Sequence, residues 1–121
     1  AVVYGTAAPT HRSVGLNVTT RVQLEAEAVQ ARCQHDRWRP ALDMSQVWFR
    51  ERPVTMFHDP LAAAALFDDS ILEWNRGEIS VGFEGDDRGS TTLELGSDGA
   101  HEAASRVDAD RFFEHFFGVT G

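Results

Sequence analysis

Residues 55–67 read Thr55-Met-Phe-His58-Asp59-Pro60-Leu-Ala-Ala-Ala-Ala-Leu-Phe67, and the reading of this stretch decides the fold. It has the pattern of a buried segment ending, an acidic cap, and a short helix. Asp59 is placed to accept free N–H groups of the first turn, and Pro60 suits the first helical position, where a missing N–H costs nothing. Leu61 to Phe67 is apolar with mostly small side chains, which permits close packing on a sheet. His58 and Asp59 therefore stand where a buried element meets a helix N-terminus, the place where open α/β sheets bind ligands. The same pattern serves equally as a plain N-cap beside a structural histidine. These residues alone leave both readings open.

Upstream of that stretch, Val14 to Val18 reads as a short buried strand. Thr19 or Thr20 then caps a helix predicted over Arg21 to Gln34. A polar connection, His35 to Pro40, leads to a second helix from Ala41 to Arg52, whose apolar side is Leu42, Met44, Val47, Trp48 and Phe49. Pro53 stops it. Downstream, Asp68-Asp69-Ser70 ends the Ala-rich helix, and Ile71 to Trp74 reads as a turn of helix or irregular chain. Glu78 to Glu84 alternates, with Ile79, Val81 and Phe83 on one face, and Thr91 to Leu95 alternates again, which predicts an antiparallel pair. Gly96 to Ala100 is a loop, with His101 also in loop. Asp108 to Phe117 forms the last helix, with Phe112, Phe113, Phe116 and Phe117 as a core-facing aromatic stripe.

The chain has 121 residues, one domain or a piece of one. Eleven basic residues, all Arg, stand against 19 acidic ones, for a net charge of −8. That balance argues against a nucleic-acid partner, which calls for a basic footprint. One cysteine, Cys33, excludes an internal disulfide framework and predicts a reducing, cytoplasmic setting. No apolar run approaches the length of a membrane span, so no membrane partner is expected.

Other candidate sites weigh little. Cys33-Gln-His35-Asp36 lacks the second half of a zinc site. Gly85-Asp-Asp-Arg-Gly89 lacks the ligand alternation and closing Glu of a calcium loop and the Lys of a phosphate loop, and reads as a solvated turn. Only His58 and Asp59 keep a functional claim from the residues themselves.

Val14-Gly-Leu-Asn-Val-Thr19, followed some forty positions later by Phe57-His-Asp-Pro-Leu-Ala62, resembles the C-terminal portion of the inosine/uridine-preferring nucleoside hydrolases. The Ile79 to Thr91 segment with Arg88-Gly89 is similar to that family's hairpin, and Val107 to Phe117 to its closing helix. The resemblance implies an open, mostly parallel α/β sheet flanked by helices, with an antiparallel hairpin near the C-terminus. It implies cleavage of the N-glycosidic bond of purine or pyrimidine ribonucleosides to base and ribose. Asp59 would be one ligand of a calcium ion and His58 the catalytic residue beside the leaving base. Trp48 and Phe49 are candidates for contact with the base.

Two departures accompany it. The family's N-terminal Asp-rich motif, which supplies most of the calcium carboxylates, is absent. Asn17 stands where many members carry Asp, a change expected to be mainly structural. The chain is thus expected to be a single partial domain, residues 1–121, inactive alone and needing the N-terminal part of the same fold. The competing expectation is a non-catalytic module that self-associates as a homo-oligomer through an exposed sheet edge and the Phe-rich helix.

Overall fold

The computed structural model describes residues 2–7 and 11–119. After a turn at residues 2–6 the elements run β1 (His11–Ser13), α1 (Leu16–Thr19), β2 (Gln23–Glu25), α2 (Ala26–Arg32), α3 (Arg39–Trp48), β3 (Val54–Met56) and α4 (His58–Ala64). There follow β4 (Leu72–Val81), β5 (Thr91–Leu95), β6 (His101–Val107) and α5 (Ala109–Gly118). Short 3₁₀ turns occupy Asp36–Trp38, Asp69–Ile71 and Gly85–Asp87.

The main sheet has the order β1-β6-β4-β5. β6 pairs in parallel with β1 and antiparallel with β4, and β4 and β5 form the expected hairpin, with Gly77 opposite Leu95 and Val81 opposite Thr91. This is an open α/β sheet flanked by helices; the parallel part of the expected sheet is represented here by the β1–β6 pairing. A separate ribbon joins β2 to β3, antiparallel, with Leu24 opposite Thr55. The hairpin connection needs its glycines, since Gly85 and Gly89 have φ of 59° and 87°, the left-handed region that other residues avoid.

One core unites these parts. Phe57, in the link from β3 to α4, meets the rings of Phe112, Phe113, Phe116 and Phe117 edge-on, with centroids 5.4–6.3 Å apart. Val18, Val22, Leu61, Ile71 and Phe112 are fully buried around that cluster. The last helix is capped as its sequence asks: the Asp108 carboxylate accepts the N–H of Arg111 at 3.0 Å.

Several local expectations are corrected. Val14 to Val18 is not a strand. Period-2 alternation would put Leu16 and Val18 on the same side, yet Leu16 is 69% exposed and Val18 fully buried, and a single helical turn accounts for both. The predicted helix over 21–34 begins only at Ala26. Gln23–Glu25 is drawn into the ribbon instead, because its backbone groups pair with Val54–Met56 and the Val22 carbonyl accepts the Phe57 N–H at 2.9 Å. The second helix ends at Trp48, and its apolar side is not core: Met44, Val47 and Trp48 are exposed, while Leu42 and Phe49 reach the core edge. Ile71 closes a 3₁₀ turn, and Leu72 to Trp74 opens β4 rather than an irregular bridge. Strand β4 ends at Val81, so Phe83 leaves the alternating face and is exposed. His101 begins strand β6, which lies inside the sheet between β1 and β4.

Candidate functional site

The stretch at 55–67 turns from β3 into α4 at the C-terminal end of the strand. Phe57, not Asp59, occupies the N-cap position, so His58, Asp59 and Pro60 form the first turn. The capping role expected of Asp59 is thus corrected: its carboxylate is exposed and has no hydrogen bond among the described residues. Partial positive charge at a helix N-terminus favours an anion in that position.

His58 is half-buried and held by one contact across the fold. Its Nδ1 lies 2.8 Å from Oγ1 of Thr19, which is itself buried on α1. When the Thr19 hydroxyl donates to Nδ1, Nε2 carries the proton and is a donor. The ring borders a cleft of about 300 Å³ lined by Trp48, Arg52, Val54, Thr55, Met56 and His58. Trp48 is fixed there by its indole N–H, which donates to the Val54 carbonyl at 2.9 Å, and by the Arg52 guanidinium, 5.3 Å from the ring centre. The arrangement puts a positioned imidazole and a half-exposed indole on one cleft. Asp59 does not line it, and Phe49 packs against the core instead.

Thr19 is the member of this group that sequence reasoning missed as a partner of His58. The signal was present in the Leu-Asn-Val-Thr run, but only the fold brings positions 19 and 58 together. Asn17 in the same run donates its side-chain N–H to the Ala104 carbonyl at 2.8 Å and so ties α1 to β6.

The remaining candidates settle into packing or turns. Cys33 is buried, and burial pushes its thiol up, away from the reactive thiolate. His35 accepts the N–H of Arg37 at 3.1 Å. Among the described residues no group of three or more His, Cys, Asp or Glu side chains would hold a metal ion. Calcium takes about six to eight oxygen ligands. Asp59 offers one carboxylate, and Asn17, whose Nδ2 is bonded to the Ala104 carbonyl, adds at most one amide oxygen, so these residues do not by themselves fit that ion.

No family model and no curated protein matches the chain. Solved structures do. A purine-preferring ribonucleoside hydrolase from Gardnerella vaginalis superposes with a TM-score of 0.75 at 22% identity, over 89% of this chain and 38% of that one. A plant nucleoside hydrolase gives 0.80 at 19% identity, over 99% and 44%. The chain has a nucleoside-hydrolase fold. An inosine-guanosine nucleoside hydrolase superposes too, at 0.75 with 15% identity, over 90% and 38%. The chain spans less than half the length of each of these hydrolases. What it corresponds to is part of a nucleoside-hydrolase fold. No helix among the described residues is long and apolar enough to cross a membrane.

Proposed function

We propose that this chain is the C-terminal segment of a ribonucleoside hydrolase, which splits the N-glycosidic bond of a purine or pyrimidine nucleoside into base and ribose. The observation that carries the reading is the Thr19-held imidazole of His58 facing a cleft walled by Trp48. Glycosidic cleavage develops positive charge on the sugar and negative charge on the leaving group. In the charged ring Nδ1–H donates to the Thr19 hydroxyl, and Nε2–H delivers its proton to the departing base and leaves a neutral imidazole, while the half-exposed indole of Trp48 gives that base a surface to stack on. The C–N bond breaks, the hydroxyl of water ends on the sugar carbon, the base leaves with the proton from His58, and the second proton of the water passes to solvent and restores the charged ring. In a complete enzyme Asp59 would supply one carboxylate toward a calcium ion, and the remaining ligands would have to come from the N-terminal part of the fold. The segment alone has neither the shell nor turnover.

The test is recombination. Mixing this chain with the N-terminal portion of a related hydrolase and assaying ribose release from nucleosides is expected to yield activity that neither part has alone. An active full-length control beside an inactive mixture that has demonstrably assembled counts against the reading.

A second reading rests on a different surface. Leu66 and Phe67 are more than four-fifths exposed at the end of α4, beside an apolar groove of about 430 Å³ between α4 and α5. Strand β5 is a free edge among the described residues. We propose, as the alternative, a non-catalytic module that pairs with copies of itself through these features. Sedimentation as a monomer at high concentration removes it.

A further inference from the structure

The turn at residues 2–6 is seated on the sheet by one side chain. The Tyr4 ring lies 5.2 Å from the His11 ring and 5.4 Å from the His101 ring, and its hydroxyl is 3.0 Å from Ser13 Oγ. His11 and His101 are register partners in the parallel β1–β6 pairing, and their rings stand 5.0 Å apart. Alternation along the strands puts His11, Ser13, His101 and Ala103 on one face, so Tyr4 closes over a floor of two imidazoles.

Both Nδ1 atoms of that floor are buried and have no hydrogen-bond partner among the described residues, and His101 is 5% exposed. A neutral imidazole has one N–H and one lone pair, whereas the charged ring donates from both nitrogens. A proton added at either Nδ1 becomes a buried charged donor with no acceptor. A second one places like charges on neighbouring rings.

Of the surrounding charges only Glu78 favours a charged ring, at the Nε2 side of His101, and it gives no acceptor to either Nδ1. On β4, Gly77 stands opposite His101 and offers no side chain, and Glu78 Oε2 lies 3.9 Å from the Nε2 side of His101, while its other oxygen accepts the Ala100 N–H. Arg12 on β1 is bonded to Asp69 and Glu102, and Glu102 on β6 to Arg76, so these charges are matched among themselves. Tyr4 is the titratable group that the turn itself presents. None of these supplies an acceptor to either Nδ1.

We propose that the Tyr4 turn is an acid-released latch: neutral His11 and His101 hold it closed, and their protonation lifts Tyr4 off the sheet. Tyr4 and Ser13 also line a cavity of about 520 Å³ on the same sheet face, with Asn75, Ile79 and Leu93 across it. Release of the latch therefore removes one wall of that cavity. The inference is independent of the hydrolase reading.

Tyr4 is the sole tyrosine in the chain, so ring-¹³C tyrosine labelling gives one reporter. The full chain is titrated by NMR from about pH 8 to about pH 5, the range in which imidazole ordinarily changes charge. The Tyr4 ring signals, displaced by the flanking imidazoles at the start, are expected to move to the free-tyrosine position while the amide signals of β4 and β5 stay in place. In His11→Phe/His101→Phe, which keeps an aromatic floor without a titrating group, they are expected to stay displaced throughout. Should that double variant fail to fold, His11→Phe alone is expected to move the transition to lower pH. Tyr4 signals that hold their place to pH 5 in the folded wild-type chain overturn the latch, and so does a transition unchanged by these substitutions.

Discussion

Thr19 Oγ1 and His58 Nδ1 lie 2.8 Å apart, joining α1 to the first turn of α4 across 39 positions of sequence. The contact fixes both the orientation of the imidazole and the nitrogen left to face the cleft. Thr19→Val keeps the volume of a buried side chain and deletes the hydroxyl. We predict a stability loss of about 1 kcal/mol by urea denaturation, the size of one hydrogen bond. In the reassembled hydrolase we predict a kcat lower by roughly 10- to 100-fold with KM little changed, since a misdirected catalytic group costs rate more than binding. An unchanged kcat removes Thr19 from the site.

Asn17 tests the neighbouring departure from the family pattern. Its amide donates to the Ala104 carbonyl. A carboxylate in its place has no proton to give and faces a carbonyl oxygen instead. Asn17→Asp is therefore predicted to destabilise the chain by about 1–3 kcal/mol, read from the denaturation midpoint near neutral pH. A variant as stable as the wild type shows that the α1–β6 tie matters little.

Much of the architecture was legible, and the failures share a cause. Phe112, Phe113, Phe116 and Phe117 with an Asp before them announce a capped, core-facing helix, and the alternation of Thr91 to Leu95 announces a strand. These segments carry their own periodicity. Strand β6 does not: His101-Glu-Ala-Ala-Ser-Arg-Val107 has a single β-branched residue, and its place between β1 and β4 decides its conformation. Gln23–Glu25 likewise sits in a helical pattern and is claimed by β3. Within the site, His58 and Asp59 were singled out from their position beside a helix start. Thr19 and Arg52 were not, because contacts between distant positions leave no local pattern.

Acid stability offers a third test, through Asp68. The Ser70 hydroxyl first, and the Arg111 guanidinium 3.0 Å away second, hold its carboxyl down at about 2, below the ordinary 3.8. A carboxyl lowered by folding contributes stability that is full above its unfolded value and is lost as pH falls through the folded one. The denaturation midpoint is thus predicted to drop between about pH 5 and about pH 2. Asp68→Asn is predicted to lower the midpoint at neutral pH and to flatten that part of the acid limb. Parallel acid limbs in the two proteins mean that Asp68 is not responsible.

If His58 delivers a proton to the leaving base, its removal must matter only for leaving groups that need one. The reassembled hydrolase and its His58→Ala variant are to be compared on a natural nucleoside and on a nitrophenyl riboside, whose leaving group departs without a proton. His58→Ala is predicted to lower kcat/KM on the nucleoside by about 100-fold or more and to leave the nitrophenyl riboside nearly untouched. Equal losses on both substrates would contradict it.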